Sequence, residues 1–197
     1  MRRHLPFILI LASLIICGCI QHEHYGQIKT HDESPQISPS AAKFEFGKRY
    51  EAVVVNVIDG DTIDVIVEEY RCRIRLLGID CPETAPERNK PYEYDGITDL
   101  NYLAIWGIRA KEFARDLLLG RKVYLEFDEI AGLKGYYGRY LAYVYLENGT
   151  DFNAILIKKG LARVYVEGEF RKEEYYLKLE MQARKNEIGL WSCVIES

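Results

Sequence analysis

Carboxylates, arginines and tyrosines gather in three short stretches of this chain. The first is Asp59-Gly60-Asp61-Thr62, the second runs from Arg75 to Asp80 and Glu83 around Cys81-Pro82, and the third is Tyr137-Gly138-Arg139. Taken together, these residue types suit one chemistry. Asp61 and Asp80 offer the oxygen donors that calcium or magnesium prefer, if their two turns lie at the same place in the fold. Arg75 and Arg139 carry fork-shaped donors that match the equatorial oxygens of a phosphate whose negative charge grows during phosphodiester cleavage. Glu83 is then left to orient or deprotonate a water. Each stretch also has a plain explanation. Asp-Gly pairs mark turns whatever the function, Pro82 beside two acids fits an ordinary turn, and Arg71, Arg73 and Arg75 could be a solvated strand face. The weight comes from the combination.

The rest of the sequence removes the competing chemistries. The four histidines are His4, His22, His24 and His31, and the only serines after residue 40 are Ser192 and Ser197. A Ser/His hydrolase, a Cys/His protease or an imidazole-ligated metal site therefore cannot be built within residues 44–197. With 197 residues, 48% hydrophobic and 28% charged, the chain can bury a core, and one folded domain is expected. The net charge of −4 gives no hint of a nucleic-acid partner, but a local basic patch rather than the total sets the field over a cleft.

Stepping from these residues to the elements that hold them, alternation of apolar residues predicts strands around Val53 to Val57, Ile63 to Val67 and Arg71 to Leu76. In the third, Cys72, Ile74 and Leu76 share one face and the three arginines the other. Residues 84–101 are polar and contain Pro86, Pro91 and Gly96, which reads as a long surface loop serving a site. A helix follows from about residue 101 to 119, with Trp106, Ala110, Phe113, Ala114 and Leu117 along its apolar face and Gly120 as its stop. Val123, Leu125 and Phe127 mark a fourth strand and residues 141–146 a fifth, and helices are expected at 151–159 and about 171–187. Five short strands interrupted by a helix fit a mainly β fold, a small closed barrel with helices packed outside it.

The N-terminus reads as an export signal. Arg2 and Arg3 precede an apolar run from Leu5 to Ile16, and Gly18 stands directly before Cys19. Ile16-Cys17-Gly18-Cys19 resembles a lipoprotein processing box, which would place a lipid on Cys19 and hold the protein at the outer face of a cell membrane; simple secretion is the other expectation. An uncleaved anchor is disfavoured because the apolar run is shorter than a spanning helix needs. Residues 1–18 are thus expected as signal peptide, 19–43 as a flexible tether and 44–197 as the folded domain. In an oxidising compartment one pair could form among Cys72, Cys81 and Cys193, and spacing does not choose among the pairings.

Longer stretches carry a resemblance. Val57-Ile58-Asp59-Gly60-Asp61-Thr62, Arg73-Ile74-Arg75-Leu76-Leu77-Gly78-Ile79-Asp80-Cys81-Pro82-Glu83, and Tyr137-Gly138-Arg139-Tyr140-Leu141-Ala142-Tyr143 resemble, in order, successive motifs of the staphylococcal nuclease (thermonuclease) family. Gly160-Leu161-Ala162-Arg163-Val164 and Ile188-Gly189-Leu190-Trp191 match it too. The resemblance implies a five-stranded oligonucleotide-binding barrel with three helices and a calcium-dependent endonuclease that cuts DNA and RNA, preferably single-stranded, to 3′-phosphate products. It implies that Asp61, Asp80 and the backbone carbonyl of Cys81 hold calcium, with Asp59 behind them. Arg75 and Arg139 would grip the scissile phosphate, and Glu83 is the general-base candidate. Tyr137 and Tyr165 are the implied substrate contacts. Two departures stand out: Cys81 replaces a threonine, and Tyr136 stands where the best-known member has a phosphate-contacting lysine. A monomer is expected. The competing reading is a non-catalytic module of the same fold that binds single strands through aromatics and arginines.

Overall fold

The computed structural model describes residues 43–192. The expected signal peptide, nearly all of the expected tether, Cys19 and Cys193 lie outside them.

Five strands close into a barrel in the order β1-β2-β3-β6-β5. Here β1 is Arg49–Val57, β2 Thr62–Val67, β3 Tyr70–Leu76, β5 Lys122–Glu126 and β6 Tyr140–Leu146. All neighbours are antiparallel except β3 and β6, which run parallel with Arg75 opposite Leu141. Alternation explains the inside. Tyr50, Ala52, Val54, Ile63, Val65, Val67, Cys72, Ile74 and Leu76 are buried, and closure leaves no long strand edge exposed. β1 starts four residues before the apolar alternation at Val53, because Arg49 and Glu51 face out while Tyr50 and Ala52 face in. A register shift between Val54 and Asn56 is a bulge, and it puts Val55 and Asn56 outward in succession before Val57 turns in again.

Outside the barrel, β4 (Ile79–Asp80) pairs with β7 (Arg163–Val164) in a two-stranded sheet that periodicity could not show. Three helices pack around: α1 Leu100–Leu118, α2 Phe152–Lys158 and α3 Glu173–Lys185. α1 is capped by Asp99, whose carboxylate accepts from the amides of Asn101 (2.9 Å) and Tyr102 (3.1 Å). Its buried face is Leu103, Ala104, Gly107, Ala110, Ala114 and Leu118. This corrects the expected face: Leu117 is exposed, and Trp106 and Phe113 are only partly covered. The helix turns its small residues inward because it lies close against the turns that follow β1 and β4.

The stretch 84–101 is also more built than a surface loop. It contains a 3₁₀ turn at Pro86–Arg88, and Tyr94 and Ile97 join Leu103, Ala183, Leu190 and Trp191 in a second apolar cluster. Cys72 and Cys81 are buried and not bonded to one another. No helix among the described residues is long and apolar enough to cross a membrane.

Candidate active site

Each candidate side chain is placed by a turn or strand end at one side of the barrel. Asp59, Gly60 and Asp61 form the turn between β1 and β2, closed by bonds from the amides of Ile58 (2.9 Å) and Asp59 (3.3 Å) to the carbonyl of Thr62. Asp59 Oδ1 accepts from the Asp61 amide at 3.2 Å. Gly60 is required by crowding, since a Cβ there would stand 2.7 Å from both the Ala110 side chain and Cys81 Sγ. The turn is therefore pinned between α1 and the β4 segment, and the Asp61 side chain points to the latter. Its Oδ2 accepts from the Cys81 amide at 2.7 Å and its Oδ1 from Thr62 Oγ1 at 3.1 Å.

Arg75, near the end of β3, links the two carboxylates. Its guanidinium contacts Asp61 Oδ1 through Nη1 and lies 2.5 Å from Asp80 Oδ1 through Nη2. Asp61 is almost wholly buried at 2% exposure, so an ionised carboxylate there requires a positive partner. The structure thus unites Asp61 and Asp80 at one point of positive charge. Asp80 has further donors: Arg163 Nε at 3.1 Å, Arg163 Nη2 at 3.0 Å and the Tyr94 hydroxyl at 3.3 Å.

Asp59, Arg75, Asp80, Glu83, Tyr137, Arg139 and Tyr165 line one open cleft of about 710 Å³, whose wall also includes Cys81. Arg139 sits across it from β4, with Nη1 3.4 Å from Thr62 Oγ1. Burial and the neighbouring Arg75 lower the Arg139 pKa, although an arginine remains protonated at any physiological pH. Arg71 and Arg73, by contrast, bind Asp64 on the outer barrel face and stay out of the cleft. One strand therefore serves both readings of its arginines.

Glu83 faces the cleft half-covered. Burial raises its pKa, opposed by Arg88, whose Nη2 lies 3.4 Å from Glu83 Oε2. Its main chain is fixed by Asn89, whose Oδ1 accepts from the Glu83 amide at 2.8 Å while Nδ2 donates to the carbonyls of Glu83 (2.9 Å) and Ala85 (3.1 Å). Cys81 presents its main chain to Asp61, and burial drives its thiol pKa well up, which leaves the sulfur as packing.

Tyr137 is largely exposed at the tip of the β5–β6 connection, and the Arg139 guanidinium lies 5.6 Å from its ring centroid. Tyr165 is partly exposed on the far wall, its amide donating to the Gly78 carbonyl at 3.1 Å. Asn89, Tyr94 and Arg163 are the site residues that sequence reasoning missed. Arg163 alone left a trace, as a basic residue between Ala162 and Val164 in an otherwise apolar stretch.

The donor set suits a hard cation. Two carboxylates converge on a position that a cationic group fills. Among the described residues, no cluster of three or more His, Cys, Asp or Glu side chains forms a metal-ligating group, so protein carboxylates supply only part of such a shell.

Residues 73–193 match the family model described as staphylococcal nuclease homologue. An uncharacterised protein of Methanocaldococcus jannaschii is 38% identical over 195 residues, covering 93% of each chain. A thermonuclease of Staphylococcus hyicus is 34% identical over 140 residues, which span 71% of this chain and 74% of the relative. A micrococcal nuclease of Shigella flexneri is 30% identical over 147 residues, which span 71% of this chain and 72% of the relative. With its five-stranded barrel and three helices, a family model matching residues 73–193 and a relative 34% identical over 71% of its length, the chain belongs to the staphylococcal nuclease family.

Proposed function

We propose that this protein is a calcium-dependent endonuclease that hydrolyses phosphodiester bonds of DNA and RNA, preferably single-stranded, to 3′-phosphate products. The observation that carries this reading is the convergence of Arg75, Asp80, Glu83 and Arg139 on one cleft, with the buried Asp61 joined to Asp80 through the Arg75 guanidinium. Relatives named thermonuclease and micrococcal nuclease support it.

In this reading Asp61, Asp80 and the Cys81 carbonyl hold the calcium, with Asp59 fixing the Asp61 turn. When bound, the cation supplies positive charge to the phosphate and its attacking water. Arg75 and Arg139 donate to the equatorial oxygens, where charge accumulates as the water oxygen approaches phosphorus. Glu83 takes the proton from that water, a task favoured by a pKa that burial has moved toward neutrality. The P–O bond to the 5′-oxygen then breaks, that oxygen takes a proton from solvent water and departs as the 5′-hydroxyl, and the phosphate stays on the 3′ side. Tyr137 and Tyr165 flank the strand. The enzyme works as a monomer, exported and tethered through a lipid on Cys19 or released outside the cell.

The test is release of acid-soluble nucleotides from denatured DNA and RNA at alkaline pH with calcium, then with chelator. Cleavage is expected with calcium and not with chelator, and Glu83→Gln or Arg75→Gly should abolish it. Arg139→Gly should lower the rate by about two orders of magnitude or more, since loss of one transition-state donor costs roughly 3 to 4 kcal/mol. Strand binding without any cleavage would favour the non-catalytic module instead.

A further inference from the structure

The connection between β5 and β6 ends in a narrow hairpin. The Gly135 amide donates to the Arg139 carbonyl at 3.0 Å and the Gly138 amide to the Gly135 carbonyl at 2.9 Å, while Lys134 and Tyr140 pair as an antiparallel bridge. Gly138, at φ +72°, takes the left-handed position that closes such a turn. Tyr136 and Tyr137 are the two central residues of that turn, and Arg139 begins the returning arm that carries the cleft's arginine. The two rings meet edge to face, 5.2 Å apart at 90°. Tyr137 has the Arg139 guanidinium over its ring. Tyr136 is 97% exposed. An apolar ring raised beside the cleft that holds Arg139, on a turn hydrogen-bonded at both ends, is costly to leave in water and inexpensive to immobilise.

We propose that Tyr136 is a stacking platform for one unpaired base of a strand whose phosphates run past Arg139, which makes the ring a determinant of preference for single strands over duplex. This rests on the nucleic-acid reading of the cleft and adds to it a contact beyond the reacting phosphate. The residue beside the turn identifies the occupant. A phosphate suits the Arg139 guanidinium, which has no carboxylate in ion-pair contact among the described residues, and the part of a nucleic acid that suits a bare ring is a base face. Within a duplex that face is already stacked, so only an unpaired base can use the platform.

The experiment measures binding in chelator at low salt, where cleavage plays no part, by fluorescence anisotropy of the full chain with a labelled thymidine dodecamer, its duplex with oligoadenosine and an abasic strand of equal length. Tyr136→Ala is expected to weaken dodecamer binding ~5-fold or more, the lower range for truncating a base-stacking ring. The duplex and abasic strand should change by less than about 2-fold on the same scale. Tyr136→Trp should restore the dodecamer affinity. A complete exposure of the side chain makes misfolding of the variants a minor concern, and their melting temperatures should match the parent. Equal losses on all three probes, or no loss on the dodecamer, would overturn the proposal. So would loss of binding to phosphatidylglycerol vesicles with strand affinity unchanged, which would make the ring a membrane contact. Because the readout is binding, a protein that holds strands and never cuts them would refute the endonuclease while leaving the platform intact. A protein that binds no strand in chelator overturns the platform, and cleavage with calcium still decides the endonuclease.

Discussion

Glu83 can act on a water only while its main chain is held, and that hold comes from Asn89. The amide side chain of Asn89 is buried, satisfies both main-chain groups of Glu83 and reaches no part of the cleft. Truncation to alanine strands those groups and costs about 1 to 3 kcal/mol of stability. Asn89→Ala is therefore expected to lower kcat on denatured DNA by about tenfold or more, since small displacements of a catalytic group are expensive. KM should stay within about twofold, as the side chain contributes nothing to uniform binding; a proportional rise in KM with kcat unchanged would show that Asn89 contacts substrate. At this scale the motif residues were legible because each announces itself by type within a few positions. Arg75, Asp80 and Arg139 lie together in the cleft wall, and Asp61 is joined to them through Arg75. Asn89, Tyr94 and Arg163 were not legible, because their roles exist only through contacts made across the fold, as between Arg163 and Asp80.

Helix α1 is the element that presses the site together. At Gly107 it passes so close to the loop below that a Cβ would lie 2.5 Å from the carbonyl oxygens of both Pro82 and Glu83. Alanine is the better helix former by about 1 kcal/mol. Here that gain is outweighed, because the obstacle is backbone and overpacking of this kind costs typically 1 to 3 kcal/mol. Gly107→Ala is expected to lower the melting temperature and to reduce cleavage by pushing Glu83 out of line; a more stable and fully active variant would show that the helix can move away freely. The same contact explains why the helix face was misread. Leu117 and Leu118 are indistinguishable by type, and the choice between them follows from the small stripe Gly107, Ala110 and Ala114, whose meaning depends on what lies beneath. The long strands could be read from their alternation, whereas β4 and β7 have two residues each and carry no period.

Across the whole molecule, a buried carboxylate ties the helical layer to the barrel. Asp128, just after β5, accepts from the Tyr143 hydroxyl at 2.5 Å on β6, from the Arg171 amide at 2.7 Å on the approach to α3, and from the Ile130 amide at 3.0 Å. Burial opposes its ionisation, but these donors outweigh burial and hold its pKa below the ordinary aspartate value. A depressed folded pKa stabilises the protein above the unfolded pKa and loses that contribution as pH falls through the folded one. Asp128→Asn presents an amide to donors and should cost about 2 kcal/mol at neutral pH. In urea titrations the gap between parent and variant should narrow below about pH 4; a gap constant with pH would mean that the charge is irrelevant.

The parallel seam between β3 and β6 joins segments that are far apart in the chain. Arg75 enters with the third strand and Arg139 only with the loop that leads into the final barrel strand, so no N-terminal portion of the chain ending before that loop possesses both. A ribosome making the proposed nuclease consequently handles an unarmed polypeptide until most of it has been synthesised. Completion of the cleft is thus deferred by the order of the strands.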